Sequence, residues 1–74
     1  MLVPLAFAEH NKNFLIKDIK GNNKDKKRLI ENGFCIGSNV CLLKDDNNNY
    51  IVRINDNKYV INFGLANKIL LGDC

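Results

Sequence analysis

The sequence predicts a mainly β domain with one or two short helices, folded as a small, partly open antiparallel barrel. Three observations carry that expectation. Five short apolar stretches recur along only 74 residues. One polar segment with helical caps interrupts them early. No segment is long enough for the crossover connections that parallel strands require.

The first predicted strand is Phe14 to Ile19, which mixes apolar residues with Lys17 and Asp18. Val40 to Lys44 is the second, with Val40 and Leu42 on one face. Tyr50 to Ile54 is the third; Val52 and Ile54 point one way, Ile51 and Arg53 the other. Lys58 to Asn62 is the fourth, with Val60 opposite Tyr59 and Ile61, and Lys68 to Leu71 is the last. The polar run Asp45 to Asn49 reads as a loop. Asn55-Asp56-Asn57 is a tight-turn signal, because Asn and Asp tolerate left-handed backbone angles, so the third and fourth strands are expected to form a hairpin.

The helix follows the first strand. Asn22 or Asn23 can cap its start, and Asp25 lies near the positive end of its dipole. Leu29 and Ile30 are expected to face the core. Gly33 supplies the positive φ at the C-terminal cap, and Phe34 folds back onto the last turn. A second, single-turn helix is expected from Gly64 to Asn67.

Size and composition narrow the function classes. The chain is read as one domain, residues 1–74. A domain this small buries only about 60% of the surface its unfolded chain exposes, which leaves little room for a deep cleft. With 46% hydrophobic residues, a compact core is nevertheless available. Net charge is +3, and the densest cationic run, Lys24 to Arg28, is diluted by Asp25 and Glu31. A solvated helix face fits that run better than a nucleic-acid stripe, which concentrates its cations.

Cys35, Cys41 and Cys74 are odd in number and lack CxxC spacing, so they are read as reduced thiols of a cytoplasmic protein. Cys35 and Cys41 serve as small apolar side chains. No run approaches the ~20 apolar residues of a membrane span. Residues 1–8 lack a basic leader and are interrupted by Pro4, so they are expected to stay in the mature fold.

No catalytic constellation emerges. His10 is the single histidine and has no Cys or Ser partner pattern. One His cannot build a cluster of His and carboxylate ligands around a transition metal, so neither a metal nor a cofactor is expected. Gly33 and Gly37 are not followed by the Lys-Ser/Thr of a phosphate loop. Phe14 and Phe34 are expected in the core, while Tyr50 and Tyr59 read as strand residues before they read as a peptide groove.

One stretch carries a family resemblance. Lys27-Arg28-Leu29-Ile30-Glu31-Asn32-Gly33-Phe34-Cys35-Ile36-Gly37-Ser38-Asn39-Val40 resembles the Arg-Leu-x-x-x-Gly-Leu/Phe-x-Pro-Gly-x-x-Val of FeoA proteins. Pro4-Leu5 with Ala8, then Ile16, Ile19 and Gly21, then Val52 and Ile54, then Tyr59-Val60-Ile61 and Ala66-x-x-Ile69-x-Leu71 follow in the family's order. Ile36 stands where the family usually has Pro, Asn62 where it often has Arg, and Asn11 and Lys12 where Gly is common.

The resemblance implies an SH3-like barrel. It implies a small accessory protein of ferrous iron uptake that binds the cytoplasmic GTPase domain of the FeoB-type iron permease. That role involves no catalysis and no insertion into the membrane. The candidate partner-contact residues are Leu2, Leu5, Lys27, Arg28, Phe34 and Tyr59. The alternatives are a small nucleic-acid-binding barrel and a metal-sensing domain. Exposed edge strands leave homo-oligomers open.

Overall fold

A computed structural model describes residues 2–72 of the chain. Cys74, expected to be a reduced thiol, lies outside the described residues. In chain order the elements are β1 (Val3–Pro4), a 3-10 turn (Leu5–Phe7), β2 (Asn13–Ile19), α1 (Asn23–Glu31), β3 (Asn39–Asp46), β4 (Asn49–Ile54), β5 (Asn57–Asn62), α2 (Phe63–Ala66) and β6 (Ile69–Gly72). All six strands join one antiparallel sheet in the order β1-β6-β2-β3-β4-β5. The order ends at β1 and β5, which do not pair with each other, so the barrel is open as the sequence implies.

The five predicted strands all form, and the meander β3-β4-β5 is the most legible part. Its two turns are set by asparagine. Asn47 and Asn48 both take positive φ, at 46° and 69°, as a two-residue type I′ turn requires. Asn55 does so at 55°. The loop expected over Asp45 to Asn49 is shorter than that reading: Asp46 pairs with Asn49, and Asp45 with Tyr50. Pairing continues because the Asn-Asn turn closes tightly enough to zip both strands to their ends.

Register shifts between Ile16 and Asp18 in β2 and between Leu42 and Lys44 in β3 mark bulges. Bulges bend a strand and increase its twist, which curls the sheet around one interior. Leu5, Ile16, Leu29, Phe34, Leu42, Val52, Ile54 and Ile69 are among the large side chains of that interior. Val52 and Ile54 alternate inward as expected, and Val60 points to solvent. No buried polar or charged side chain occurs among the described residues.

The N-terminal segment is more structured than its sequence indicates. Val3 and Pro4 pair with Leu71 and Leu70, which makes them a sixth strand at the sheet edge. Pro is compatible with an edge because it has no N–H to contribute. Asn11 takes φ 60° where the family commonly has Gly, and its N–H bonds the Leu42 carbonyl at 2.8 Å. Asn is the side-chain-bearing residue best suited to that conformation. Among the described residues no helix is long and apolar enough to cross a membrane.

Candidate protein-docking surface

Helix α1 is almost entirely polar, so local capping has to hold it. The Asn22 side chain accepts the Asp25 N–H at 2.8 Å, and Asp25 sits in the first turn. The Asp25 carboxylate also receives Lys68 Nζ at 2.6 Å, which ties the helix to the turn before β6.

At the other end, Gly33 takes φ 97°. Its N–H bonds the Ile30 carbonyl and the Phe34 N–H bonds the Leu29 carbonyl, each at 2.9 Å. This pair of bonds is a Schellman motif, and its usual hydrophobic contact is supplied by Leu29 and Phe34, both fully buried.

Adjacent helix positions point about 100° apart, since 3.6 residues complete a turn. With Leu29 inside, Ile30 cannot also face the core. It is 53% exposed, contrary to the expectation that both residues pack inward.

The chain then turns at Cys35 to Ser38. The Ser38 N–H bonds the Cys35 carbonyl, and Gly37 sits at φ 93°. The turn is stitched to β2 by Gly37 N–H to the Ile16 carbonyl and Ile16 N–H to the Ser38 carbonyl. A positive φ at the third residue is the type II arrangement, which favours Pro at the second. Ile36 occupies that second position, which accounts for the family's usual Pro there, and it is 67% exposed.

Ile30 and Ile36 together with Ile19 and the half-buried Cys35 line an apolar groove of 230 Å³. Asp18 and Lys26 stand at its rim. The Asp18 carboxylate pairs with Lys20 at 3.0 Å and accepts the Ile19 N–H at 2.8 Å. The bond from Lys20, then that from Ile19, holds this carboxyl below the ordinary aspartate range, and the charge on Lys26 adds to them. Asp18 and Lys26 are the charged residues that line the groove, and Asp18 is already paired with Lys20.

A second exposed apolar area is aromatic. The Phe7 and Phe63 rings meet edge to face at 6.2 Å, and Phe63 lies 6.3 Å from Tyr50. Phe7 and Phe63 both remain exposed.

The sequence-derived contact residues divide. Leu2, Lys27 and Arg28 are exposed; Tyr59 is half-buried, its ring 5.9 Å from that of Phe34. Leu5 and Phe34 are corrected. Both have no exposed surface, so neither can touch a partner. Pairing of Val3 and Pro4 with β6 carries Leu5 into the core, and the Schellman contact fixes Phe34. Ile30, Ile36, Phe7 and Phe63 were missed. The turn centre between Cys35 and Gly37 signals that Ile36 points outward; nothing local signals Phe7.

Among the described residues no three His, Cys, Asp or Glu side chains converge on a metal-sized site. Cys35 and Cys41 are free thiols, and Cys41 is buried as a small apolar side chain. His10 lies on the surface 3.7 Å from Asp45.

The FeoA domain family model matches residues 3–71. The chain belongs to the FeoA domain family. This family is associated with ferrous iron transport, as the resemblance of the 27–40 stretch implies. A Methanocaldococcus jannaschii protein named Fe(2+) transport protein A is 31% identical over 72 residues, spanning 97% of this chain and 88% of its own.

Solved structures agree on the fold. The crystal structure of an iron uptake regulatory protein (FeoA) superposes with a TM-score of 0.88 at 21% identity over 96% of both chains. A manganese-dependent transcriptional repressor matches 99% of this chain with a TM-score of 0.91 at 12% identity, but that match spans only 42% of the repressor. At these identities the likeness is one of fold, here an SH3-like β architecture built into proteins of different size.

Proposed function

We propose that the chain, as a single domain of residues 1–74, is a cytoplasmic accessory protein of ferrous iron uptake. It acts by docking on the GTP-binding cytoplasmic part of a FeoB-type permease. The observation that carries this reading is the groove at the exit of α1, within a chain whose FeoA family match runs from residue 3 to 71. Ile30 and Ile36 present apolar surface on a framework fixed by the Schellman motif and the stitched turn. Asp18 and Lys26 give it a polar, charged border. Apolar anchors within a polar rim are the anatomy of a protein interface. Covering one such side chain fully contributes about 1.5–3 kcal/mol.

The test is a titration of the isotope-labelled chain with the permease's GTP-binding domain in its nucleotide-free, GDP and GTP-analogue states. Amide shifts are expected to centre on residues 30–38 in at least one state, and Ile36→Glu should weaken binding at least tenfold. No shift in any nucleotide state, or shifts confined to Phe7 and Phe63, would remove the proposal.

A further inference from the structure

Among the described residues strand β5 is an edge of the sheet, with β4 on one side and no strand on the other. Which of its backbone groups face outward follows from the register. The Phe63 N–H bonds the Asn48 carbonyl at 2.9 Å. In an antiparallel ladder hydrogen-bonded pairs alternate with non-bonded ones. Tyr50–Ile61, Val52–Tyr59 and Ile54–Asn57 are therefore the bonded pairs, and the last of them closes the two-residue turn at Asn55. Lys58, Val60 and Asn62 consequently turn their N–H groups away from β4. Val60, at the centre, also has a side chain that is 65% exposed.

A groove runs beside this edge. Arg28 of α1 and Asn32 at its C-terminal cap form one wall; Val60 and Asn62 of β5, with Leu65 of α2 and Asn49 of β4, form the other. Its volume is 330 Å³ and its lining is largely polar.

Arg28 is the one charged residue that lines this groove. Asp25 is engaged by Lys68, whereas Lys24, Lys27 and Arg28 have no carboxylate within ion-pair distance among the described residues. Lys24 and Lys27 share an adjoining surface with Arg28 and Glu31.

From this placement we infer that the β5 edge is a strand-addition site, which takes an extended, acidic segment of a partner protein into the groove between α1 and β5. Backbone groups of the segment pair with the N–H and carbonyl of Val60 and with the N–H groups of Lys58 and Asn62. A carboxylate two residues along, about 7 Å away, lies on the same face and reaches Arg28. Strand addition draws affinity from main-chain hydrogen bonds and specificity from alternate side chains.

The helical wall selects a thin occupant. A second copy paired edge to edge would bring its own α1, and so its own Arg28, to the same seam, where the two cations repel.

The experiment pans a displayed library of random decapeptides on the full chain. Enriched peptides are expected to carry carboxylates at alternating positions and no central proline. A synthetic peptide of the enriched sequence should shift the amides of residues 58–62 and slow hydrogen exchange of the Val60 amide at least tenfold. Val60→Pro, which removes the outward N–H and leaves the β4 ladder intact, should weaken binding more than tenfold, and Arg28→Glu should do the same. Should Val60→Pro not fold, Arg28→Glu and the Val60 exchange rate decide.

Enrichment of basic or proline-rich peptides overturns the inference. So does the absence of enrichment, shifts centred on Ile30 and Ile36, or dimerisation of the chain alone that Val60→Pro abolishes. None of these outcomes depends on the permease, so failure here and failure of the proposed function can be told apart.

Discussion

The N-terminal segment and the exit of α1 use apolar residues in the same way and fix them by different means. In the first, Leu5 and Ala8 are buried while Leu2 and Phe7 are exposed; in the second, Leu29 and Phe34 are buried while Ile30 and Ile36 are exposed. At the helix exit the choice is local. Gly33 and Gly37, at φ 97° and 93°, set the direction of the backbone and hence of each side chain. In the N-terminal segment the choice is made at a distance, by pairing of Val3 with Leu71 and Pro4 with Leu70. Hydrophobicity says that a residue gains from burial. The backbone decides which of two neighbours receives it.

The largest effect that tests this contrast is Phe34→Ala. Emptying a fully buried aromatic site costs about 3–5 kcal/mol. That is a large part of the ~0.05–0.15 kcal/mol per residue by which domains are stable. Chemical denaturation should show a strongly lowered midpoint, and an unchanged midpoint would mean that Phe34 is not the anchor of the helix end.

Leu5→Ala should follow at about 2–5 kcal/mol. A value near zero would show that the N-terminal segment is not docked, and the contrast would collapse.

Gly33→Ala places a side chain at a φ it rarely adopts and should cost about 1–2 kcal/mol. Its added Cβ meets Ile54 at an ordinary 3.4 Å, so strain and not crowding sets the loss. Thermal unfolding should register a drop of about 4–8 °C per kcal/mol for a domain of this size.

Ile36→Pro should act in the opposite direction, stabilising by about 0.4–1 kcal/mol. The turn position suits Pro, and the gain comes from the unfolded chain's lost freedom. A loss of stability would show that the second turn position is not in the type II conformation.

The smallest effect belongs to Asp18, whose carboxyl is held below its ordinary range chiefly by Lys20. Because the folded value is the lower one, its contribution is fully present above pH about 4, the unfolded value, and fades as acidification passes the folded value. Asp18→Asn should therefore lower stability slightly at neutral pH and not at all in strong acid, as paired denaturation curves would show.

The candidate surface was partly legible before the fold was known. The sequence pointed to α1 and its exit, and Lys27 and Arg28 are exposed there as expected. It chose the wrong apolar anchors, because Phe34 and Leu5 are large and flank recognisable signals, whereas Ile36 reads as an ordinary turn residue. Burial of Leu29 could be argued from periodicity. Exposure of its neighbour Ile30 required knowing that the helix touches the core through one narrow stripe.

By itself the sequence determined what depends on neighbours along the chain. The Asn-rich turns, the inward alternation of Val52 and Ile54, the Asn22 cap and the Gly33 stop are each encoded within a few residues. Backbone preference and side-chain alternation act over that range. Tertiary structure alone decided that β1 closes onto β6, that Leu5 is core, and that α1 lies along the β5 edge with Arg28 facing a groove. Those facts depend on which distant segments meet, and such meetings are settled by packing one shared interior.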